Sequence, residues 1–91
     1  MDINALNVIH NQEERRFEIQ VESQLAELSY ILNNGIITFT HTGVPAELEG
    51  NGIGSKLVKA GLEYARVNNL KVESYCWFVS GYIQRHPESV G

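Results

Sequence analysis

Three glycines, Gly50, Gly52 and Gly54, stand at alternate positions in the middle of the chain, just before Ser55 and Lys56. Glycine adopts positive φ without a clash, so such a run can fold closely around an anion. The backbone amides that begin a helix have no partner within it, and they lie at the positive end of its dipole. A glycine turn that opens a helix is therefore suited to binding a phosphate group.

The spacing of these glycines excludes two common phosphate-binding motifs. Residues 50–54 lack the G-x-G-x-x-G pattern of dinucleotide-binding proteins, and no G-x-x-x-x-G-K-[ST] pattern of P-loop enzymes can be aligned with them. A flexible loop without a ligand explains the glycines equally well. Lys56 is either a phosphate contact or an ordinary surface lysine. Both interpretations stay open on these residues alone.

His41 and Cys76 are the two side chains best suited to acid–base or covalent chemistry. A histidine titrates near neutral pH and can act as a general base, whereas a cysteine thiolate can accept an acyl group. Each also has a simpler explanation, with His41 as a hydrogen-bonded structural residue and Cys76 as a small buried one. We interpret Tyr75, Trp77 and Tyr82 as core or pocket-wall residues.

The composition limits the class of protein. The chain has 91 residues, of which 43% are hydrophobic, and this is typical of one folded domain over residues 1–91. The net charge of −4 disfavours a nucleic-acid partner. The single cysteine fits a reducing compartment, and no apolar run is long enough to span a membrane. We expect a cytoplasmic protein, with the nucleus or an organelle as alternatives, that uses no metal and is a monomer or weak dimer.

Hydrophobic periodicity predicts three strands before the glycine turn. Alternating polar and apolar residues indicate strands at residues 16–21, 25–32 and 36–41. Asn34 and Gly35 lie between the last two, and an Asn-Gly pair between apolar runs is typical of a β-hairpin. His41 is thus expected at the end of the third strand.

The pattern then becomes helical. Apolar residues at spacings of three and four predict a helix from Ile53 to Ala65, followed by a strand at residues 70–74 and a short helix at residues 77–85. Residues 1–12 show only weak periodicity, and their apolar residues are interpreted as edge-strand or docking contacts. The predicted fold is α+β, in the order β-β-β-α-β-α, with a mostly antiparallel four-stranded sheet and two helices.

Taken together, these motifs closely resemble the short single-domain GNAT-like N-acetyltransferases. The resemblance runs from about Arg16 to Glu88 and implies a truncated GNAT fold that binds acetyl-CoA and moves an acetyl group to an amine. Several motifs carry it in order, namely Ile36–Phe39, His41-Thr42-x-Val44-Pro45, Leu48-x-Gly50-x-Gly52-Ile53-Gly54-x-x-Leu57, Ala65-Arg66 and Cys76-x-Phe78-Val79-x-x-Tyr82.

The resemblance also implies how acetyl-CoA is held. Backbone groups of residues 41–44 would pair with the pantetheine arm, and the glycine turn would hold the pyrophosphate. Glu49 stands where the family pattern has Gln or Arg, so Glu49 is expected to point outward while backbone amides carry the binding. The predicted cofactor-binding residues are His41, Thr42, Gly43, Val44, Gly50, Asn51, Gly52, Ile53, Gly54, Ser55 and Lys56.

A cysteine and a histidine are the proposed reactive pair of that family, and Cys76 and His41 match them here. Full-length GNAT enzymes have two helices after the first strand, whereas this chain has only a short polar break at residues 22–24. We therefore expect an open acceptor groove, suited to a protein tail or a small amine of unknown identity. Two other interpretations stay open: a CoA-binding or acetyl-CoA-binding sensor or interaction module without turnover, and a scaffold whose turn has lost its ligand.

Overall fold

Five strands and two α-helices make up the computed structural model, which describes residues 1–90. The strands are β1 (Ile9–Asn11), β2 (Arg16–Val21), β3 (Gln24–Asn33), β4 (Ile36–Gly43) and β5 (Lys71–Ser74). The helices are α1 (Ile53–Val67), which lies between β4 and β5 in the chain, and α2 (Trp77–Arg85), which follows β5. Short 3-10 turns occur at Ile3–Ala5, Ala46–Leu48 and Pro87–Val90.

The strands lie side by side in chain order in one sheet. Neighbours from β1 to β4 are antiparallel, and β4 and β5 are parallel because α1 returns the chain along the sheet between them. Asn34 and Gly35 both have positive φ at the turn between β3 and β4, as their pairing predicts. The predicted α+β fold, mostly antiparallel and with two helices, is therefore confirmed.

The number of strands, however, is five rather than the predicted four. Residues 9–11 form β1, which pairs with β2 through His10 opposite Phe17. The His10 ring stacks on Phe17 at 4.1 Å, and its Nε2 lies 2.5 Å from the Tyr30 hydroxyl. Burial lowers the pKa of His10. Three residues are too few to show an alternating pattern, so pairing with β2, rather than local sequence, defines this strand.

The hydrophobic core lies between one face of the sheet and the apolar stripe of α1. The stripe is buried and consists of Ile53, Leu57, Val58, Leu62 and Ala65. Buried strand residues face it, namely Phe17, Ile19, Ala26, Leu28, Tyr30, Ile37 and Phe39. Gly61 allows this close approach, because a Cβ there would lie 2.8 Å from Cε1 of Phe39. Within residues 1–90, neither helix is long and apolar enough to cross a membrane.

A β-bulge interrupts the pairing of β3 with β4. Tyr30 lies opposite Phe39, whereas the neighbouring pair is Ser29 opposite His41, so Thr40 is an extra residue on β4. The Thr40 hydroxyl donates a hydrogen bond to the Ser29 carbonyl at 3.3 Å. The bulge shifts the alternation of side chains for the rest of β4 by one residue.

This shift decides which β4 side chains face the helices. Residues directly opposite each other on antiparallel strands share a face. Thr42 lies opposite the buried Leu28 and is on the helix side, so His41 is on the other side of the sheet. Pairing of β4 with β5 ends nearby, at Phe39 opposite Ser74. The last residues of β4 therefore have no strand partner on the β5 side.

Candidate functional site

A cavity of about 460 Å³ lies where the end of β4, the glycine turn and the starts of both helices meet. Thr42 and Val44 line it from the end of β4, and Trp77 and Phe78 line it from α2. The walls are mainly apolar, while backbone of the glycine turn forms another side. Such a combination suits a ligand that has both an apolar part and an anionic part.

The glycine turn adopts the conformations that its composition predicts. Gly50 and Gly52 have φ values of 84° and 82°, in the left-handed region that favours glycine. Gly52 occupies the N-cap position of α1, and no side chain forms a hydrogen bond that caps the helix amides after it. The Asn51 side chain instead donates to the Leu48 carbonyl at 2.9 Å and so holds the turn. The start of α1 therefore has backbone donors available to an anion.

Gly54 brings the starts of the two helices together. A Cβ at this position would lie 2.9 Å from Cζ of Phe78, which is closer than carbon atoms normally approach. Both Gly54 and Phe78 line the cavity. The third glycine of the motif thus lets the Phe78 ring lie against the start of α1, and a side chain at this position would displace that ring.

Two charged residues near the turn take different positions. Glu49 is exposed, and it also lines the cavity. Lys56, predicted as a phosphate contact or a surface lysine, donates from Nζ to the Ile3 carbonyl at 2.8 Å. Lys56 lines a neighbouring cavity rather than this one. The residues of α1 that line the first cavity are therefore Ile53, Gly54 and Ser55, and Lys56 is not among them.

Cys76 lies between β5 and α2 and is buried, with 8% of its surface exposed. Its Sγ is 3.3 Å from the hydroxyl of Thr42, a residue that lines the cavity. Burial raises the pKa of the Cys76 thiol. Hydrogen bonds from the Thr42 hydroxyl and from the backbone of Val79, Phe78 and Thr42 lower that pKa by more, so the net shift is downward. Thr42 and the start of α2 thus make this thiol more acidic than an ordinary cysteine.

His41 is not a partner of Cys76. Because of the bulge at Thr40, the exposed His41 ring lies on the face of the sheet opposite to Thr42 and Cys76. The ring lies close to Gly43, because a Cβ added to Gly43 would be only 3.1 Å from His41 Nε2. The structure therefore does not bring together the two residues that match the reactive pair of the family.

Thr42, rather than His41, has its side chain next to Cys76. The sequence suggested only a backbone role for Thr42, and no sequence signal marks the bulge that turns its side chain toward the sulfur. Within residues 1–90, no group of three or more His, Cys, Asp or Glu side chains is placed to hold a metal ion.

Comparison with known proteins identifies relatives that span most of the chain. Residues 16–90 match the protein family described as GCN5-related N-acetyl-transferase. Protein NATD1 of Mus musculus is 29% identical over 85 residues, which cover 90% of this chain and 77% of the mouse protein. Protein NATD1 of Danio rerio is 28% identical over 91 residues, covering 96% and 83% of the two chains.

A solved structure is also similar. The solution structure of a GCN5-like protein from Staphylococcus aureus superposes with a TM-score of 0.73 at 36% sequence identity. The match covers 96% of this chain and 86% of the other. Similarity of this extent includes the sheet and both helices that surround the cavity.

Proposed function

This chain belongs to the GCN5-related N-acetyl-transferase family, and from that premise we propose that it binds acetyl-CoA at the start of α1 and transfers the acetyl group to an amine. The uncapped start of α1, which opens onto the cavity beside Gly52, is the observation that carries the proposal. The residues present fit the co-substrate, because free helix amides suit its diphosphate and the apolar walls suit its pantetheine arm.

The end of β4 would hold the pantetheine arm. Residues 41–44 have no strand partner on the β5 side. Their backbone groups on that side would therefore pair with amides of the arm. The amides of residues 51–55 would hold the diphosphate. Glu49, which also lines the cavity, carries a negative charge and would not assist them. The thioester supplies an activated acetyl group, and the protein's task is to position it and to exclude water.

We propose Cys76 as the residue that receives the acetyl group first. Its thiolate, favoured by Thr42 and by the amides at the start of α2, would form a new thioester while the CoA thiolate leaves and takes up a proton. The acceptor amine would then take the acetyl group and lose a proton to solvent, and Cys76 would leave as the thiolate that began the cycle. Direct attack by the amine, with a water as the base, is the competing route, since His41 lies on the other face of the sheet.

Intact-mass spectrometry after incubation with acetyl-CoA tests the covalent route. We expect the mass of one acetyl group to appear on the native chain and to be absent from Cys76→Ser. Release of free CoA would be followed in parallel with a thiol reagent, in the presence of spermidine or a lysine-containing peptide. CoA release without any acetylated Cys76, at an unchanged rate in Cys76→Ala, would instead support direct transfer.

Binding of acetyl-CoA without release of free CoA would identify a module that senses acetyl-CoA. Thermal unfolding with and without CoA separates this outcome from a protein that has no ligand, because a ligand that binds only the native state raises its melting temperature. We also propose a cytoplasmic location, since a single cysteine fits a reducing compartment.

A further inference from the structure

The last strand, β5, lies at one end of the sheet and pairs only with β4 within residues 1–90. The amides of Lys71 and Tyr75 donate toward β4, to the carbonyls of Gly35 and Phe39, at 2.9 Å each. Successive residues of a strand direct their backbone groups to opposite edges, so the amide and carbonyl of Val72 point away from the sheet. This edge therefore presents backbone groups to which another strand can bind.

The side chains along this edge carry one positive and one negative charge. Lys71 and Glu73 are exposed, whereas Val72, between them, is half-buried on the helix side and lies beside the buried Ile37. Neither charged residue forms an ion pair in the described part of the chain. Glu73 Oε1 accepts a long hydrogen bond from the Thr38 hydroxyl, at 3.5 Å. Both charges therefore remain available to a partner on the face of the sheet away from the helices.

Apolar side chains also border this edge. On the helix side, Leu70 and Val72 are half-buried and line a hollow of about 250 Å³, together with Val90, which is 43% exposed. On the other face, Tyr75 is 80% exposed. Exposed apolar groups beside unpaired backbone groups favour contact with another protein chain.

We infer that two copies of this chain pair through β5, antiparallel about a twofold axis at Val72. Val72 of each copy exchanges both backbone hydrogen bonds with Val72 of the other. This register places Lys71 directly opposite Glu73 of the second copy, in a pair of the type that brings side chains closest. The twofold axis forms this ion pair twice. Tyr75 then lies diagonally from Lys71 of the second copy, within reach of its long side chain.

The charges select this register over its neighbours. A shift by two residues in one direction places Lys71 opposite Lys71, and a shift in the other direction places Glu73 opposite Glu73. Like charges directly opposite each other are destabilising. A short strand with a lysine normally resists pairing at its edge, and the Val72 register alone turns that repulsion into attraction. A twofold contact uses the same edge of both copies, so assembly through β5 ends at the dimer.

Sedimentation equilibrium of the native chain and of two charge variants tests this interface. Because the contact is small, we expect association to be weak and to become measurable as the protein concentration approaches about 1 mM. Lys71→Glu and Glu73→Lys each place like charges opposite each other twice, so each should weaken the dimer by about tenfold or more. An equimolar mixture of the two variants should associate again, because every opposing pair is then of opposite charge.

Arg15→Glu is the matched control, because it makes the same change of charge as Lys71→Glu, at an exposed residue between β1 and β2, near the other end of the sheet. It should dimerise like the native chain, and circular dichroism should show every variant folded. A native chain that stays monomeric at about 1 mM overturns the inference. A dimer that neither variant weakens, or a mixture that does not associate, overturns the placement at β5 in this register.

Discussion

A carboxylate introduced at Gly52 tests the phosphate-binding turn directly. Gly52 lines both cavities and caps α1, and no atom lies within 4 Å of the position that a Cβ would take. In Gly52→Glu the new side chain would therefore enter open space beside the first amides of the helix. Its negative charge would stand where the diphosphate is proposed to bind.

The expected loss of affinity follows from Coulomb's law. At a separation of about 5 Å and an effective dielectric constant of about 20, one carboxylate and one phosphate charge repel by about 3 kcal/mol. Each 1.4 kcal/mol is about a tenfold change in affinity, so CoA binding should weaken by more than about 100-fold. The variant also forces a side chain into the left-handed region, at a cost of about 1–2 kcal/mol of folding stability.

Gly35→Glu is a control matched for this strain. Gly35 has a φ of 78°, close to the 82° of Gly52, and its Cβ position is also free of neighbours. It lies at the turn before β4, whereas the cavity lies at the other end of that strand. Both variants should lose about 4–16 °C in melting temperature, but only Gly52→Glu should lose CoA binding in a calorimetric titration. Native affinity in Gly52→Glu, or an equal loss in both variants, would refute the placement.

The remaining predictions concern packing and the thiol. Gly61→Ala should destabilise the fold by about 1–3 kcal/mol in chemical denaturation, since the new methyl group meets the fully buried Phe39 ring; a native midpoint would contradict this packing. Gly54→Ala should leave stability nearly native, because the half-buried Phe78 ring can move aside, but should weaken CoA binding by altering the cavity wall. Alkylation of Cys76 by iodoacetamide should have a pH midpoint below the ordinary thiol value of 9.0. Removal of the Thr42 hydroxyl in Thr42→Val should raise that midpoint, because the hydroxyl lowers the pKa of Cys76, and an unchanged midpoint would show that Thr42 does not stabilise the thiolate.

Local patterns predicted the elements around the site because they depend on neighbouring residues. Asn34 and Gly35 specify a tight turn by their tolerance of positive φ, and this turn is present. The spacing of apolar residues from Ile53 to Ala65 specifies a helix with one buried stripe, which the structure contains. Family motifs then placed the glycine turn at the start of that helix.

Features that depend on pairing between distant segments could not be predicted in this way. The bulge at Thr40 arises from the register between β3 and β4, and no residue type marks it. It separates His41 from Cys76 and brings Thr42 to the sulfur. Similarly, β1 exists only through its pairing with β2, and the bond of Lys56 to the N-terminal segment joins residues far apart in sequence.

Amide chemical shifts recorded while CoA is added test the central proposal, that the ligand lies across the start of α1. The account predicts saturable changes concentrated at residues 42–44 and 50–55, with residues on the opposite face of the sheet, such as Ile31, unaffected. Saturable changes that cluster on that opposite face, or no changes at all in the glycine turn at saturating CoA, would contradict it.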